Sequence, residues 1–254
     1  PLTNFPNGIT SFGIPVVGGM QVPFGKNSKV FFVDPENGAD GNDGSKDRPL
    51  KTLTQALSLC VAGRNDVVFL MTDGTTAATA RLSAALDWNK DSTHLIGIAP
   101  NSLNSRARVS NTSGVNFTPL FTLSASNCLI ANVSFFQGYA TNTAQKCFVL
   151  SGQRNQIVSC RISGMGAAEA GDAAGSASLS VEGGDENRID DCIIGLDTVP
   201  RSTTNAEIVF SGAATRNEFN NCLVETFADN AGHLFVSVGA SGIDRYAIFN
   251  NCTF

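Results

Sequence analysis

The sequence predicts an all-β fold, a solenoid of short strands stacked turn upon turn, and two observations carry this prediction. The first is an internal repeat of nine-residue segments that align without gaps: RNQIVSCRI (154–162), ENRIDDCII (186–194), RNEFNNCLV (216–224) and YAIFNNCTF (246–254). The second is the spacing of their cysteines, Cys160, Cys192, Cys222 and Cys252, which are 32, 30 and 30 residues apart. Such a repeat indicates a unit that buries its apolar face by stacking on its neighbours.

The architecture follows from the length and pattern of the repeat. Apolar residues such as Cys192 and Ile194 alternate as on a strand, so they share one face. An earlier copy, NCLIANVSF (127–135), has Val133 in place of the cysteine, and a second apolar stretch with a short turn precedes each copy. The repeat lacks the Leu-x-x-Leu-x-Leu signature of leucine-rich repeats, and at about 30 residues it is shorter than the roughly 40 residues of a propeller blade. A parallel β-helix fits, with about six turns over residues 66–254 and about 4.8 Å between turns.

The repeated cysteines are interpreted as a ladder of small apolar side chains in the core. A metal or redox site is the alternative, but the sequence contains no Cys-x-x-Cys, and one cysteine per turn gives no tetrahedral set. We therefore expect reduced, buried thiols and no cofactor.

Composition excludes several classes of function. The net charge of −5 and the pI near 5.0 argue against a nucleic-acid partner, which calls for a basic surface. There is no apolar stretch long enough to span a membrane. The start, PLTNFPNGIT, lacks the features of a signal peptide, so we expect synthesis in a cytoplasm without secretion.

Two segments precede the repeats. In residues 29–65, the stretch RPLKTLTQALSLCVAG (48–63) has apolar residues at helical spacing and predicts an amphipathic helix of about 12 residues that caps the first turn. Residues 1–28 form a proline- and glycine-rich arm, too apolar for an ordinary disordered tail. We expect this arm to be extended and to dock on another protein, although packing along its own solenoid is the alternative. The candidate docking residues are Phe5, Ile9, Phe12, Ile14, Val16 and Val17.

One stretch carries a family resemblance. VFFVDPENGADGNDGSKDRPLKTLTQAL (30–57) resembles the segment that leads into the solenoid of right-handed parallel β-helix proteins of the pectate-lyase-like superfamily. The matching features are Val33-Asp34, the loop 37–44, and Pro49, Thr52 and Ala56. The resemblance implies a right-handed β-helix with a capping helix.

A second resemblance concerns the arm. Together with the stretch above, NFPNGITSFGIPV (4–16) is similar to a group of bacteriophage virion proteins in which a short arm precedes a compact β-helix. This implies a structural protein of the virion, a capsid decoration protein or an appendage. The arm would then bind the major capsid protein or a neighbouring virion protein, and the β-helix would associate as a homotrimer.

Catalytic chemistry has little support in the sequence. Enzymes and tailspikes of the superfamily that the chain resembles place carboxylates and basic residues on consecutive turns. Here the acids gather on one turn, 182–191, and the turns on either side supply no partner acids. Arg154 and Arg216 flank that turn and favour a ladder of ion pairs. We therefore expect a protein that is not an enzyme. The alternative is a polysaccharide depolymerase or lyase using Glu182, Asp190 and Asp191, or a non-catalytic adhesin for a host or environmental glycan.

A loop rich in acids offers one candidate metal site. Asp34, Asp40 and Asp43 could supply oxygen ligands to Ca²⁺. The loop does not match the EF-hand pattern, and a loop of Asx-turns without metal is the favoured interpretation.

Overall fold

A computed structural model describes Pro23, residues 25–72, 75–99 and 107–254, and the backbone of residues 10–11, 14–17 and 20–21. Three parallel sheets build a solenoid. Sheet 1 contains, in spatial order, β4 (Val30–Val33), β5 (Asp66–Met71), β8 (Thr93–Ile98), β11 (Leu129–Ala131), β14 (Gln156–Val158), β17 (Arg188–Asp190), β20 (Asn217–Asn220) and β23 (Ala247–Asn250).

The other two sheets have six strands each. Sheet 2 contains β6 (Ala80–Leu82), β9 (Arg108–Asn111), β12 (Ser134–Phe136), β15 (Arg161–Ser163), β18 (Ile193–Arg201) and β21 (Leu223–Ala228). Sheet 3 contains β7 (Leu86–Trp88), β10 (Phe121–Leu123), β13 (Lys146–Leu150), β16 (Ala177–Glu182), β19 (Ala206–Ser211) and β22 (Leu234–Val238). The chain visits sheets 1, 2 and 3 in that order, which makes six turns from β5 to β22. The predicted all-β, right-handed parallel β-helix is confirmed.

The copies at 154–162, 186–194 and 216–224 each contain two strands and not one, and in the last copy β23 is followed by an isolated bridge between Thr253 and Leu223. A single residue with positive φ separates the sheet 1 strand from the sheet 2 strand, and the cysteine follows it. These corner residues are Asn132, Ser159, Asp191, Asn221 and Asn251, with φ between 51° and 54°. Asn and Asp tolerate this left-handed conformation because their short polar side chains bond locally. In each Asn-Asn or Asp-Asp pair before a cysteine, the second residue is therefore the corner residue, and the first residue ends the sheet 1 strand.

The cysteines lie at equivalent corners of consecutive turns. Cys160, Cys192 and Cys222 are buried, and Cys252 is partly exposed. Each sulfur lies near a carbonyl oxygen of the preceding turn, as in the 3.6 Å contact of Cys192 with Ile157. All seven cysteines are free thiols. Burial raises the pKa of Cys128 to about 11, so this thiol is unreactive at neutral pH.

A row of buried asparagines joins the turns at the corner between sheets 3 and 1. Asn187 Oδ1 accepts from the Asn155 backbone N–H at 2.9 Å, and Asn187 Nδ2 donates to Gly152 O at 3.0 Å. Asn217 repeats the pattern one turn later: its Oδ1 accepts from Asn187 N, and its Nδ2 donates to Gly184 O. These amides satisfy backbone groups that the corner leaves without strand partners.

The capping helix is shorter than predicted. Helix α1 spans Leu53–Leu59, and Thr52 caps it by accepting from Gln55 N at 3.1 Å. Asp40 accepts from the backbone N–H groups of Lys51 and Thr52, which holds the preceding residues in an extended loop. Buried Leu53, Ala56 and Leu57 belong to the same hydrophobic core as the first turns.

Two further elements lie outside the three sheets. Strands β1 (Thr10–Ser11), β2 (Ile14–Val17) and β3 (Met20–Gln21) pair antiparallel with one another in a small sheet of their own. Of the candidate docking residues, Phe5, Ile9 and Phe12 lie outside the described residues, and the backbones of Ile14, Val16 and Val17 belong to β2. The second element is helix α2 (Ala168–Gly171), within the loop between β15 and β16. Ala170 and Gly171 are buried, so this loop packs on the solenoid. No described helix is long and apolar enough to cross a membrane.

Candidate functional site

A cleft of about 520 Å³ opens on the outer surface of sheet 2 over the first three turns. It lies where outward side chains of β6, β9 and β12 meet the loops that follow β9 and β12. The lining residues are Arg81, Arg108, Ser110, Asn111, Ser113, Gly114, Asn116, Phe136, Gly138, Tyr139 and Ala140.

Strand register places the side chains of the floor. Arg81, Ser110 and Phe136 pair across β6, β9 and β12, so they form one row on the outer face. Val109 and Phe135, which immediately precede Ser110 and Phe136 on their strands, are buried in the core. Alternation along each strand therefore points this row away from the core and into the cleft.

Two guanidiniums line the floor of the cleft. Arg81 Nη1 donates to Asn111 O at 3.1 Å, which directs the exposed guanidinium toward the loop after β9. The Arg108 guanidinium lies 5.3 Å from the centroid of the Phe136 ring, a cation–π contact that fixes both groups. No Asp or Glu is among the described residues that line the cleft.

Hydrogen bonds hold the two loops that form the wall. Asn111 Nδ2 donates to Val115 O at 3.1 Å and fixes the first loop. Asn116 Nδ2 donates to Thr141 Oγ1 at 3.0 Å and ties the first loop to the second. The cleft is therefore preorganised, and its chemistry is that of two guanidiniums, amides, hydroxyls and the rings of Phe136 and Tyr139.

The acids suggested for catalysis occupy three different places on their turn. Glu182 ends a sheet 3 strand, where Lys146 Nζ donates to it at 2.6 Å. Although burial opposes the effect, the hydrogen bond from Lys146 lowers the pKa of Glu182. Asp190 lies in sheet 1, and Asp191 is an exposed corner residue.

Asp190 is bound by side chains of three turns. It accepts from Arg188 at 2.9 Å, from Gln156 of the turn before at 3.2 Å, and from Asn220 of the turn after at 2.9 Å. These bonds link successive rungs. The structure therefore gives Glu182 and Asp190 structural partners and does not bring these two and Asp191 into one pocket.

The ion-pair ladder suggested by Arg154 and Arg216 is present. Glu186 lies between them, 2.7 Å from Arg154 and 2.8 Å from Arg216. The hydrogen bond from Arg154, followed by that from Arg216, lowers the pKa of Glu186. The three residues belong to consecutive turns, so the pairs join adjacent turns.

The carboxylates of the acidic loop accept hydrogen bonds from nearby backbone and side-chain groups. Asp34 accepts from the backbone N–H groups of Glu36 and Asn37, and Asp43 accepts from that of Ser45. Asp40 accepts from Thr52. Within the described part of the chain, no group of three or more His, Cys, Asp or Glu side chains is close enough to hold a metal ion. Each carboxylate instead organises its own segment, as Asx-turns do.

Sequence reasoning missed a buried ionic cluster at β18 and β19. Arg201 and Glu207 are fully buried and form an ion pair at 2.9 Å. Ser178 Oγ donates to Glu207 Oε2 at 2.5 Å, and His233 Nε2 lies 3.7 Å from Glu207 Oε1. Burial raises the pKa of Glu207, an effect that Arg201 opposes.

Arg201 holds the surrounding loops through backbone groups. Its guanidinium donates to the carbonyl oxygens of Gly164 and Met165 before α2 and of Leu196 and Val199 in β18. This cluster is buried, and through it Arg201 fixes the loop before α2 against β18.

Sequence reasoning also missed the arginines of the cleft. The one signal for them was that Arg81 and Arg108 are separated by 27 residues, close to one repeat.

Comparison with known proteins identifies the fold. No protein-family model and no curated protein matches the chain. Among solved structures, a rhamnogalacturonan lyase is similar with a TM-score of 0.54 and 17% identity over 89% of this chain. Pectate lyase Pel9A gives 0.51 and 12% over 78%, and the pectin methylesterase of Aspergillus niger gives 0.51 and 13% over 92%.

These similarities extend to different fractions of the other proteins. The chain spans 62% of the rhamnogalacturonan lyase, 48% of the pectate lyase and 88% of the pectin methylesterase. These similarities give no support to a bacteriophage origin or to the expectation of a protein without enzymatic activity. The chain has the parallel β-helix fold of these three structures.

Proposed function

We propose that the protein binds a polysaccharide that carries acidic sugars, through the cleft on sheet 2. The observation that carries the proposal is the cleft itself, in which Arg81 and Arg108 lie beside Phe136 and Tyr139 without a lining carboxylate. This corresponds to the glycan-directed alternative from the sequence, at a site other than the acids of 182–191.

The chemistry of the cleft matches such a ligand. A guanidinium binds a carboxylate through two parallel hydrogen bonds, and Arg does so with fixed geometry. Amide groups such as those of Asn111 and Asn116 suit sugar hydroxyls, and the rings of Phe136 and Tyr139 offer apolar surface to a sugar face. Strands β6 to β12 place the floor over about 10 Å, since neighbouring strands are about 4.8 Å apart.

Binding is proposed in preference to cleavage because of the side chains present. Hydrolysis of a glycosidic bond commonly uses two carboxyl groups about 5–10 Å apart. The described lining of the cleft supplies none. A lyase or esterase activity remains the second outcome of the test below, because the three similar structures are enzymes of those kinds.

Calorimetric titration with polygalacturonate oligosaccharides tests the proposal. We expect binding that weakens as salt increases, that is at least tenfold weaker in the R81Q/R108Q variant, and that is lost with fully methyl-esterified oligosaccharide. R245Q is the matched control, since Arg245 is exposed and pairs only with neighbouring Asp244 within the described salt bridges. Equal affinity of R81Q/R108Q and wild type would contradict the proposal, and release of unsaturated or de-esterified product would replace it with an enzyme.

We also propose, on separate grounds, that the protein is a structural component of a virion. The support is the resemblance of residues 4–16 and 30–57 to bacteriophage proteins with an arm before a compact β-helix. The partners would be the major capsid protein or a neighbouring virion protein, and the location the capsid surface or an appendage. A density map of purified particles with this chain at fixed positions is the expected result; particles that lack the chain would refute it.

A further inference from the structure

The outer face of sheet 1 is apolar over the first turns and polar over the last. Strand register aligns two outward rows that run along the solenoid. The first row begins Val30, Val67, His94 and Leu129, and the second begins Phe32, Phe69, Ile96, Ala131 and Val158. The same rows continue as Gln156, Arg188 and Glu218, and as Asp190 and Asn220.

The apolar half of this face is covered. Val67 is 1% exposed, Ile96 2% and Leu129 4%. Their neighbours along the strands, such as Val68 and Leu95, belong to the core, so these side chains point outward. Gln156 and Arg188, in the first row on the interior strands β14 and β17, are exposed, and Ile98 at the end of β8 is 44% exposed. Neighbours within the sheet therefore do not account for the burial.

The cover is not made by the described hydrophobic side chains outside the two rows. Those recorded against this cluster are Val30, Phe32 and Val158, which are members of the rows. A further apolar segment lying over the face would account for this burial. Residues 1–24 contain no Lys, Arg, Asp or Glu, and apolar residues recur throughout them.

Residue 25, where the N-terminal segment joins the rest of the chain, also lies beside this face. Gly25 N donates to Ser28 Oγ at 2.7 Å, and Ser28 Oγ donates to Arg64 O at 2.7 Å, immediately before β5. The next residue, Asn65, contacts His94 of the first row through its Oδ1 at 3.3 Å. The exit point of the N-terminal segment is therefore at the edge of the apolar rows.

We propose that the small sheet β1–β3 docks on the outer face of sheet 1 over the first turns of its own chain. The docking surface consists of Val67, Phe69, Ile96, Leu129 and Ala131. The N-terminal segment is then an intramolecular cover of the solenoid, and a partner that binds the segment competes with this face. The proposal is independent of the cleft, which lies on sheet 2.

Hydrogen exchange on the full-length chain tests the proposal. An I96D variant should speed exchange of amides 10–21 at least tenfold and leave β17 and β20 protected. The matched I98D variant, on the same strand and facing solvent, should change neither. Unchanged exchange of amides 10–21 in a folded I96D variant would overturn the proposal.

If the I96D variant does not fold, photo-cross-linking of the otherwise unchanged chain tests the same proposal. A benzophenone side chain in place of Phe32, which is half-buried at the margin of the face, should cross-link to residues 10–21. A mixture of isotopically light and heavy protein should show the cross-link within one chain. Cross-links to residues 100–106, to a second copy, or to no part of the N-terminal segment would overturn the proposal.

Discussion

The buried pair of Arg201 and Glu207 makes the sharpest prediction about stability. A Glu207→Gln substitution preserves shape and removes the charge that faces a guanidinium with no exposed surface. Leaving one member of a buried pair uncompensated costs about 3–5 kcal/mol. The variant should therefore lose that much free energy of unfolding, a large share of the total for a domain, which is about 5–15 kcal/mol.

Urea unfolding followed by circular dichroism measures this loss. Glu186→Gln is the matched control, because Glu186 also pairs with arginine, in its case two of them, but lies at the surface. This substitution should change the unfolding midpoint little. An R201M/E207L variant should recover part of the loss, since it removes both charges but leaves the four carbonyl groups that Arg201 binds. An E207Q protein that unfolds within about 1 kcal/mol of wild type would refute the reasoning.

Three further predictions concern the corner amides, stability at low pH and assembly. Asn187→Ala should cost about 2–3 kcal/mol of unfolding free energy, because it leaves the Asn155 N–H and the Gly152 carbonyl without hydrogen-bond partners. The control Asn250→Ala, at an exposed residue, should cost little, and equal unfolding midpoints of the two variants would contradict the prediction. Burial lowers the pKa of His94 to about 4, against about 6.5 when unfolded, so its contribution is complete above about pH 6.5 and is lost as pH falls toward 4. At pH 5 the loss is about 2 kcal/mol, and a His94→Gln variant should show a smaller drop between pH 7 and pH 5; an identical drop would contradict the assignment. Light scattering at micromolar concentration should give three times 26.6 kDa for the predicted homotrimer, and a species of 26.6 kDa would exclude it.

The repeat predicted the fold because the number of residues in one solenoid turn equals the spacing of equivalent residues in the sequence. Cys160, Cys192 and Cys222 recur at the interval that stacking requires, so their spacing counts turns. The division of each copy into two strands was missed, since one residue with positive φ, such as Asn221, bends the chain without interrupting the apolar pattern. The Asn at the start of three consecutive sheet 1 strands, at 155, 187 and 217, was a visible signal of the buried amide row that sequence reasoning did not use.

The candidate site could not be predicted from the sequence, for a different reason. Arg81 and Arg108 share a cleft because of the register between β6 and β9, and loops of irregular length separate those strands. Nor does a local pattern mark Arg201 as buried, because its partners lie on three separate segments. The acids at 182–191 form a cluster in sequence, yet the solenoid distributes them over two sheets and a corner.

A crystal structure of the full chain with a short galacturonate oligosaccharide tests the central claim most directly. The account predicts a sugar carboxylate within hydrogen-bonding distance of Arg81 or Arg108, with a sugar ring against Phe136 or Tyr139. Oligosaccharide bound on the polar half of sheet 1 beside Asp190, or no oligosaccharide in the sheet 2 cleft at saturating concentration, would contradict it.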